Sequence, residues 1–286
     1  MSRSILLVGP GWLGAPTAAL LATQGAQVYT LHRSESSAPA GCTSVTGHLE
    51  TAAHDDAVLA ALPRTVDHLV VCVSPSRARG DDYGLYPAAA EGATALADVL
   101  GCRSLLWVSS TGVYDRQDGS IVTEQTPVRP TNVRVQALAD AEMYIARAAN
   151  PRVPRIARIL RAAGLYGPGR DPAARFISGA TPPDIWCNFA WRDDVRDAIA
   201  HLLATPPEAA VETFNCADGH PVQAGEITRA LTGRAPDPLA ASEAEGPVRA
   251  GRSNQRIMVD ALRATGWAPS MPTVFDGLRA LGHRIA

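Results

Sequence analysis

An α/β protein built on a doubly wound parallel sheet, with a smaller C-terminal lobe, is the fold class predicted by this sequence of 286 residues. Three observations carry the prediction. Through the first half of the chain, apolar runs of strand length alternate with Ala- and Leu-rich runs of helix length, the pattern that gives parallel βαβ units. The run Val66–Val73 is nearly continuous in apolar residues, as a strand covered on both faces requires. And the first strand-like run stops at a glycine-rich turn, Gly9-Pro10-Gly11-Trp12-Leu13-Gly14, which leads directly into a helix-like run.

In order, the pattern predicts a strand over Ser4–Val8, a helix from about Trp12 to Thr23 and a strand over Ala26–Leu31. A polar loop, Ser34 to Gly41, precedes a short strand at Thr43–Val45 and a helix over Asp55–Leu62. The strand over Val66–Val73 ends at Ser74-Pro75-Ser76. A helix from about Tyr86 to Leu100, a strand over Ser104–Val108, a helix over Thr131–Asn150 and a strand over Ile156–Arg161 complete the alternation. The long helix places Ala137, Leu138, Ala141 and Ile145 on one face. Asp193 or Asp194 is expected to cap a helix running to Leu203. Arg234 to Gly251, rich in Pro, Ala, Glu and Gly, reads as a loop that covers a cleft or moves.

Gly9, Gly11 and Gly14 have the spacing GxGxxG between a strand and a helix. One glycine permits the tight turn, one admits a pyrophosphate to the backbone, and one lets helix and strand pack closely. The helix N-terminus, with Trp12 and Leu13 in its first turn, then offers free N–H groups and a positive dipole end to phosphate. A glycine-rich turn without a ligand is the alternative. The second strand ends at His32-Arg33-Ser34, where a carboxylate would bind the ribose 2′-hydroxyl of NAD. Arg33 stands there instead. It either pairs with the 2′-phosphate of NADP or is a solvated surface residue; the first reading favours NADP, with NAD possible.

Composition narrows the classes. Hydrophobic residues make up 46% and charged residues 19%, with a net charge of −2; no basic excess points to nucleic acid or an anionic membrane. The 26 basic residues other than histidine are all Arg, so no step relies on a lysine amine. Five cysteines without CxxC spacing argue against a disulfide framework and a thiolate zinc site, and the seven histidines lack ligand spacing. No run reaches the roughly 18 apolar residues of a membrane span. The expectation is a soluble, cytoplasmic protein without a metal, acting on a small molecule.

Longer motifs follow in order: Ser109-Ser110-Thr111-Gly112-Val113-Tyr114, Ile159-Leu160-Arg161 with Leu165-Tyr166-Gly167-Pro168-Gly169, and Trp191-Arg192-Asp193-Asp194-Val195. Phe214-Asn215-Cys216-Ala217-Asp218, Asn254-Gln255-Arg256 and Gly266-Trp267-Ala268-Pro269 continue them. Together they resemble an extended short-chain dehydrogenase/reductase of the NAD-dependent epimerase/dehydratase kind. The resemblance implies a Rossmann-type fold with residues 1–164 as the dinucleotide domain, 193–210 returning to it, and a substrate lobe formed by 165–192 and 211–286. It implies a cofactor held by the glycine loop, His32, Arg33, Ser74, Ser109 and Leu165. Ser110 matches the catalytic Ser/Thr, or only caps the turn. Arg134, Tyr166, Trp186 and Asn188 would face the substrate; for Trp186 and Asn188 the other reading is lobe core, and for Arg134 an exposed helix residue. A homodimer through the two long helices is the assembly implied.

The chain departs from the family at the Tyr-x-x-x-Lys pair. Arg134 and Leu138 fall at those positions, and the chain has no lysine. Tyr114 is the nearest phenol to Ser110 and either replaces the proton donor or packs. His48 stands where an acid is common near the adenine. The expected function is an NAD(P)-dependent oxidoreductase moving a hydride between the nicotinamide and a small polar metabolite. A sugar-nucleotide epimerase or dehydratase is the alternative, and a non-catalytic dinucleotide sensor or scaffold is a third reading, separable by binding without turnover.

Overall fold

The structure, a computed structural model, describes residues 3–34, 37–74, 82–149, 155–235 and 253–286. Most of the Arg234–Gly251 segment and the turn after Ser74 lie outside the described residues. The chain divides into two compact units: residues 1–109, 132–161 and 196–214, and residues 110–131, 162–195 and 215–286.

The strands are β1 Ser4–Val8, β2 Gln27–His32, β3 Cys42–Thr46, β4 His68–Val71, β5 Ser104–Ser110, β6 Ser120–Val122 and β7 Ile156–Ala162. They continue as β8 Gly164–Tyr166, β9 Trp186–Cys187, β10 Phe189–Trp191, β11 Val211–Cys216, β12 Val222–Gln223 and β13 Gln255–Ile257. The helices are α1 Gly14–Thr23, α2 Asp56–Ala61, α3 Leu85–Val99, α4 Val133–Arg147, α5 Ala173–Ile177, α6 Arg192–Ala204, α7 Ala224–Thr232, α8 Asp260–Ala264 and α9 Val274–Ala280.

Seven strands form the main sheet in the order β11-β7-β5-β4-β1-β2-β3, and β1/β2, β1/β4, β2/β3 and β4/β5 pair in parallel. The chain winds outward from β1 to β3 and then returns to the other side at β4. Such a reversal is where open α/β sheets bind ligands, outside the carboxyl ends of the strands. Register sharpens the point: Val8 is level with Leu31 on one side and with Val71 on the other. The residues that follow, Gly9, His32 and Cys72, therefore leave the sheet side by side.

β1 is apolar on both faces because both are covered. Leu6 and Leu7 are fully buried, and Leu6 shares a cluster with Leu31, Val71, Trp107 and the α3 residues Ala89, Ala93 and Leu96. Alanines on α3 allow close approach. At Gly92 a Cβ would lie 2.5 Å from the Leu49 carbonyl oxygen, so α3 rests directly on the segment after β3. α2 is capped by Asp55, whose side chain accepts from the N–H groups of Ala57 and Val58. α4 is capped by Asn132, which accepts from Val135.

Three buried arginines hold the β7 side of this unit. Arg155 donates to Asp98 (2.7 Å) and to the carbonyls of Cys102 and Ala97. Arg158 donates to Glu212 (2.6 Å) and to the carbonyls of Leu202 and Thr205. Arg161 forms a fork with Glu142, Nη2 to Oε2 at 2.6 Å and Nε to Oε1 at 3.0 Å. Each guanidinium has several fixed donors, and each is satisfied by carboxylate or helix-end carbonyls.

The second unit differs from the lobe expected from sequence. Residues 110–131 belong to it because β6 pairs in parallel with β13. Gln255, almost fully buried, accepts from the Arg116 N–H and donates to the Thr111 carbonyl. β11, expected in the lobe, joins the main sheet instead. The core here is aromatic: Tyr166 meets Phe189 and Trp191 edge to face, at 5.5 and 5.2 Å between ring centres. Asp194 does not cap its helix. Its carboxylate accepts from Ser270 N (2.7 Å), Ser270 Oγ (2.5 Å) and Met271 N (3.1 Å), while Asp193 pairs with Arg192. Asp218 is buried, accepts from the His220 N–H through Oδ1, and leaves Oδ2 without a donor among the described residues. Burial pushes its carboxyl up to about 7, despite the opposing charge of Arg263.

Candidate functional site

The glycine turn is built by close backbone contacts. Gly9 has φ +78°, and a Cβ there would sit 2.7 Å from the Cys72 carbonyl oxygen; at Gly14 a Cβ would sit 2.3 Å from the Gly9 oxygen. Both positions exclude a side chain, one by conformation and contact, the other by helix–turn packing. Gly11 is different: a Cβ there would meet nothing within 4 Å. Its missing side chain leaves open space at the start of α1, whose first turn has neither a side-chain cap nor an acidic residue. That is the local chemistry of an anion site.

A cleft of about 350 Å³ opens there, lined by residues 8–11, 31–34 and 72–74 together with Gly47, Leu49, Glu50, Leu85 and Ala89. Apolar walls with few polar groups suit a planar ring and its ribose. Among residues expected along a cofactor, Gly9, Gly11, His32, Arg33 and Ser74 line this cleft. Trp12 is half-buried, Leu13 is buried with its carbonyl accepting from the Thr17 hydroxyl, and Gly14 is buried in the turn. None of these three is among the lining residues.

His32 Nε2 lies 3.0 Å from Thr30 Oγ1, and burial lowers its pKa from the ordinary imidazole value. Cys72 is inert, its thiol pushed up to about 12 by burial. Arg33 Nη2 donates to Glu50 Oε1 at 2.9 Å. The acid common near the adenine is absent at His48, which is exposed, and Glu50, two residues on and not marked by any motif, lines the cleft instead.

The hydroxyls at the end of β5 have separate fates. Ser109 is buried and donates to Glu142 Oε1 at 2.6 Å, joining the Glu142–Arg161 pair. That engagement is structural and differs from the cofactor contact expected for it. Ser110 Oγ accepts from the Gly112 N–H at 3.1 Å, capping the turn Thr111–Val113. This bond uses a lone pair and leaves the hydroxyl proton available to donate. Tyr114, considered as a proton donor, is buried and donates to Asn215 Oδ1 at 2.8 Å.

Of the residues expected at a substrate, Tyr166 is a core residue, its hydroxyl buried with no partner among the described residues, and burial raises its pKa. Asn188 ties β13 in both directions, donating to the Gln255 carbonyl and accepting from the Ile257 N–H. Trp186 is half-buried beneath the Arg256 guanidinium, 5.2 Å from ring centre to Cζ. Arg134 sits half-buried in the first turn of α4, and its charge reaches Tyr86 on α3. Leu165 lies mid-strand in β8, level with Ala190. Among the described residues, no three His, Cys, Asp or Glu side chains are grouped as metal ligands.

A glycine turn at the switch point of a parallel sheet, opening on an apolar cleft, defines the Rossmann-type dinucleotide-binding class. Residues 5–217 match the NAD dependent epimerase/dehydratase family, and the chain belongs to it. It is 31% identical to Protein YeeZ of Escherichia coli (strain K12) over 227 residues, covering 77% of this chain and 80% of that protein. Among solved structures, MoeE5 in complex with UDP-glucose and NAD superposes with a TM-score of 0.77 at 20% identity, covering 96% of both chains. The dTDP-glucose 4,6-dehydratase of Bacillus anthracis str. Ames, in complex with NAD, gives 0.74 at 17% identity, over 98% of this chain and 95% of that one. These likenesses concern the fold.

Proposed function

We propose that the protein is a nicotinamide-dinucleotide-dependent oxidoreductase, favouring NADP(H), that transfers a hydride to or from a small polar metabolite. The observation that carries this reading is the cleft itself: an uncapped helix start beside the open space at Gly11, with Arg33 on its rim. The NAD seen in MoeE5 and in the dehydratase supports a dinucleotide as its occupant. Gly9, Gly11 and the start of α1 would hold the pyrophosphate, and Arg33 a 2′-phosphate. Once bound, the cofactor supplies the hydride chemistry at its nicotinamide ring.

The chain's own contribution is orientation and one proton. In the direction of reduction, hydride adds to a carbonyl carbon while the carbonyl oxygen gains a proton. Ser110 donates its hydroxyl hydrogen to that oxygen and is reprotonated by water; Arg134, always cationic, clamps a carboxylate on the substrate. Leu138, which takes the place of the family's lysine, is buried, and this supports a reaction that does without the Tyr-Lys pair. Sugar-nucleotide epimerisation needs that pair for its transient oxidation and is the weaker reading. We infer further that the protein is a cytoplasmic homodimer joined through α3 and α4, where Val99, Val133 and Met143 are exposed. Among the described residues, no helix is long and apolar enough to cross a membrane.

The test is titration of the purified protein with NADPH and NADH, read by nucleotide fluorescence, followed by a carbonyl-substrate screen at the reduced-nicotinamide absorbance. Ser110→Ala should then lower kcat by about 10²-fold. If neither nucleotide binds at sub-millimolar concentration, the reading fails. Binding without turnover on any carbonyl class would favour a dinucleotide sensor.

A further inference from the structure

Resting on the reading of the cleft as a dinucleotide site, we propose that Glu50 sets the balance between NADP(H) and NAD(H) by competing for Arg33. Among the described residues Arg33 is the cation lining the cleft, and it is already engaged: Nη2 to Glu50 Oε1, 2.9 Å. The partner is itself a cleft residue, and its other oxygen, Oε2, lies out of solvent with no donor among the described residues. Nor is the backbone of Glu50 free to retreat. Gly92 of α3 packs so tightly that a Cβ there would lie 2.9 Å from the Glu50 Cα.

The consequence is electrostatic. A 2′-phosphate carries between one and two negative charges near neutral pH. It meets a guanidinium whose charge is shared with a carboxylate held in place, and it is repelled by that carboxylate. Guanidinium has five N–H donors, so Arg33 can bridge the two anions, but at reduced gain. A ribose with a free 2′-hydroxyl has the opposite experience: it brings an uncharged donor to the partly exposed Glu50 carboxylate and meets no repulsion there. Arg33 alone would make the cleft selective for the phosphorylated nucleotide. With Glu50 it accepts both, and the positioning of Arg33 by Glu50 sets the ratio.

The experiment compares dissociation constants for NADPH and NADH by fluorescence titration of the full chain, in wild type, Glu50→Gln, Arg33→Ala and the double variant, with circular dichroism to confirm folding. Glu50→Gln should tighten NADPH by about three- to tenfold, the effect of relieving one partly exposed charge interaction. NADH should weaken or stay within about twofold, and the double variant should lose the NADPH gain. A Glu50→Gln protein in which the NADPH-to-NADH ratio is unchanged, whether both constants hold or both move together, overturns the proposal while leaving the cleft reading intact. If wild type binds neither nucleotide, the cleft reading falls and takes this inference with it.

Discussion

Replacing Glu142 by Ala should cost the fold several kcal/mol, about 4–6. The Glu142 and Arg161 side chains are 7% and 9% exposed, and three N–H···O contacts of 2.6–3.2 Å join them. Removal of the carboxylate takes the counter-charge from a buried guanidinium, a cost of about 3–5 kcal/mol. The Ser109 hydroxyl loses its acceptor as well, adding about 1 kcal/mol. Glu142→Leu combined with Arg161→Met removes both charges and fills the space. That pair should recover most of the loss, because a buried ion pair is worth little against apolar packing of similar volume. Urea unfolding followed by tryptophan fluorescence reports the difference; with an m-value of about 3 kcal/mol/M the midpoint should fall by more than ~1 M in Glu142→Ala. A shift under about 0.3 M, or a double variant no better than the single one, would refute the reasoning that this network is desolvated and mutually dependent.

Asp218 gives a pH dependence of unusual sign for a carboxylate. Its folded pKa is about 7 against an ordinary 3.8, so between these values the unfolded chain releases a proton that the folded chain keeps. Stability from this group is full below about pH 4 and is lost as pH rises to 7, by about 4 kcal/mol at most; Asp218→Asn should remove that slope and be the more stable protein at pH 8 in thermal melts. Tyr166→Phe deletes a buried hydroxyl that has no partner among the described residues. It should be neutral or stabilising by about 1 kcal/mol in the same assay, and a collapse in turnover with stability intact would instead return Tyr166 to the substrate. Gly14→Ala, with its 2.3 Å clash, should destabilise by about 1–3 kcal/mol. Gly11→Ala should fold as wild type and bind dinucleotide at least tenfold more weakly, so equal affinity would remove the pyrophosphate from this turn.

The main sheet was legible because its signal is local. Ala- and Leu-rich helices alternate with apolar strands, and the glycine spacing is complete within six residues, although the contact that excludes a side chain at Gly9 comes from the Cys72 carbonyl. Boundaries shifted where side chains did the capping: the helix capped by Asp55 starts one residue later, and the helix capped by Asn132 two residues later, than periodicity suggests. The second unit was harder to read because its pieces are short and distant in sequence. β6 is three residues long, and nothing near it announces that its partner is β13. Polar residues were legible as polar and not as placed. Ser109 and Ser110 are neighbours, yet strand alternation sends one to Glu142 and the other to cap a turn. Tyr114, which reads as a proton donor or a packing residue, and Tyr166, which reads as facing the substrate, are both core. Glu50 could have been found from an acid lying two residues past the position searched, had the register after β3 been allowed to slip.

The interleaving of the two units has a practical meaning for anyone seeking a minimal fragment. The chain passes between them at residues 109/110, 131/132, 161/162, 195/196 and 214/215, so no uninterrupted stretch encodes either one. A protein cut at residue 217, where the family match ends, would keep β6 without β13 and would strip both hydrogen bonds from the Asn188 side chain. Its aromatic core would lose α9, whose Gly277 is pressed against the Tyr166 ring. Such a fragment is a recipe for aggregation. The useful dissection is a circular permutant or an inserted cleavage site, in which every strand keeps its neighbour and only the order of synthesis changes.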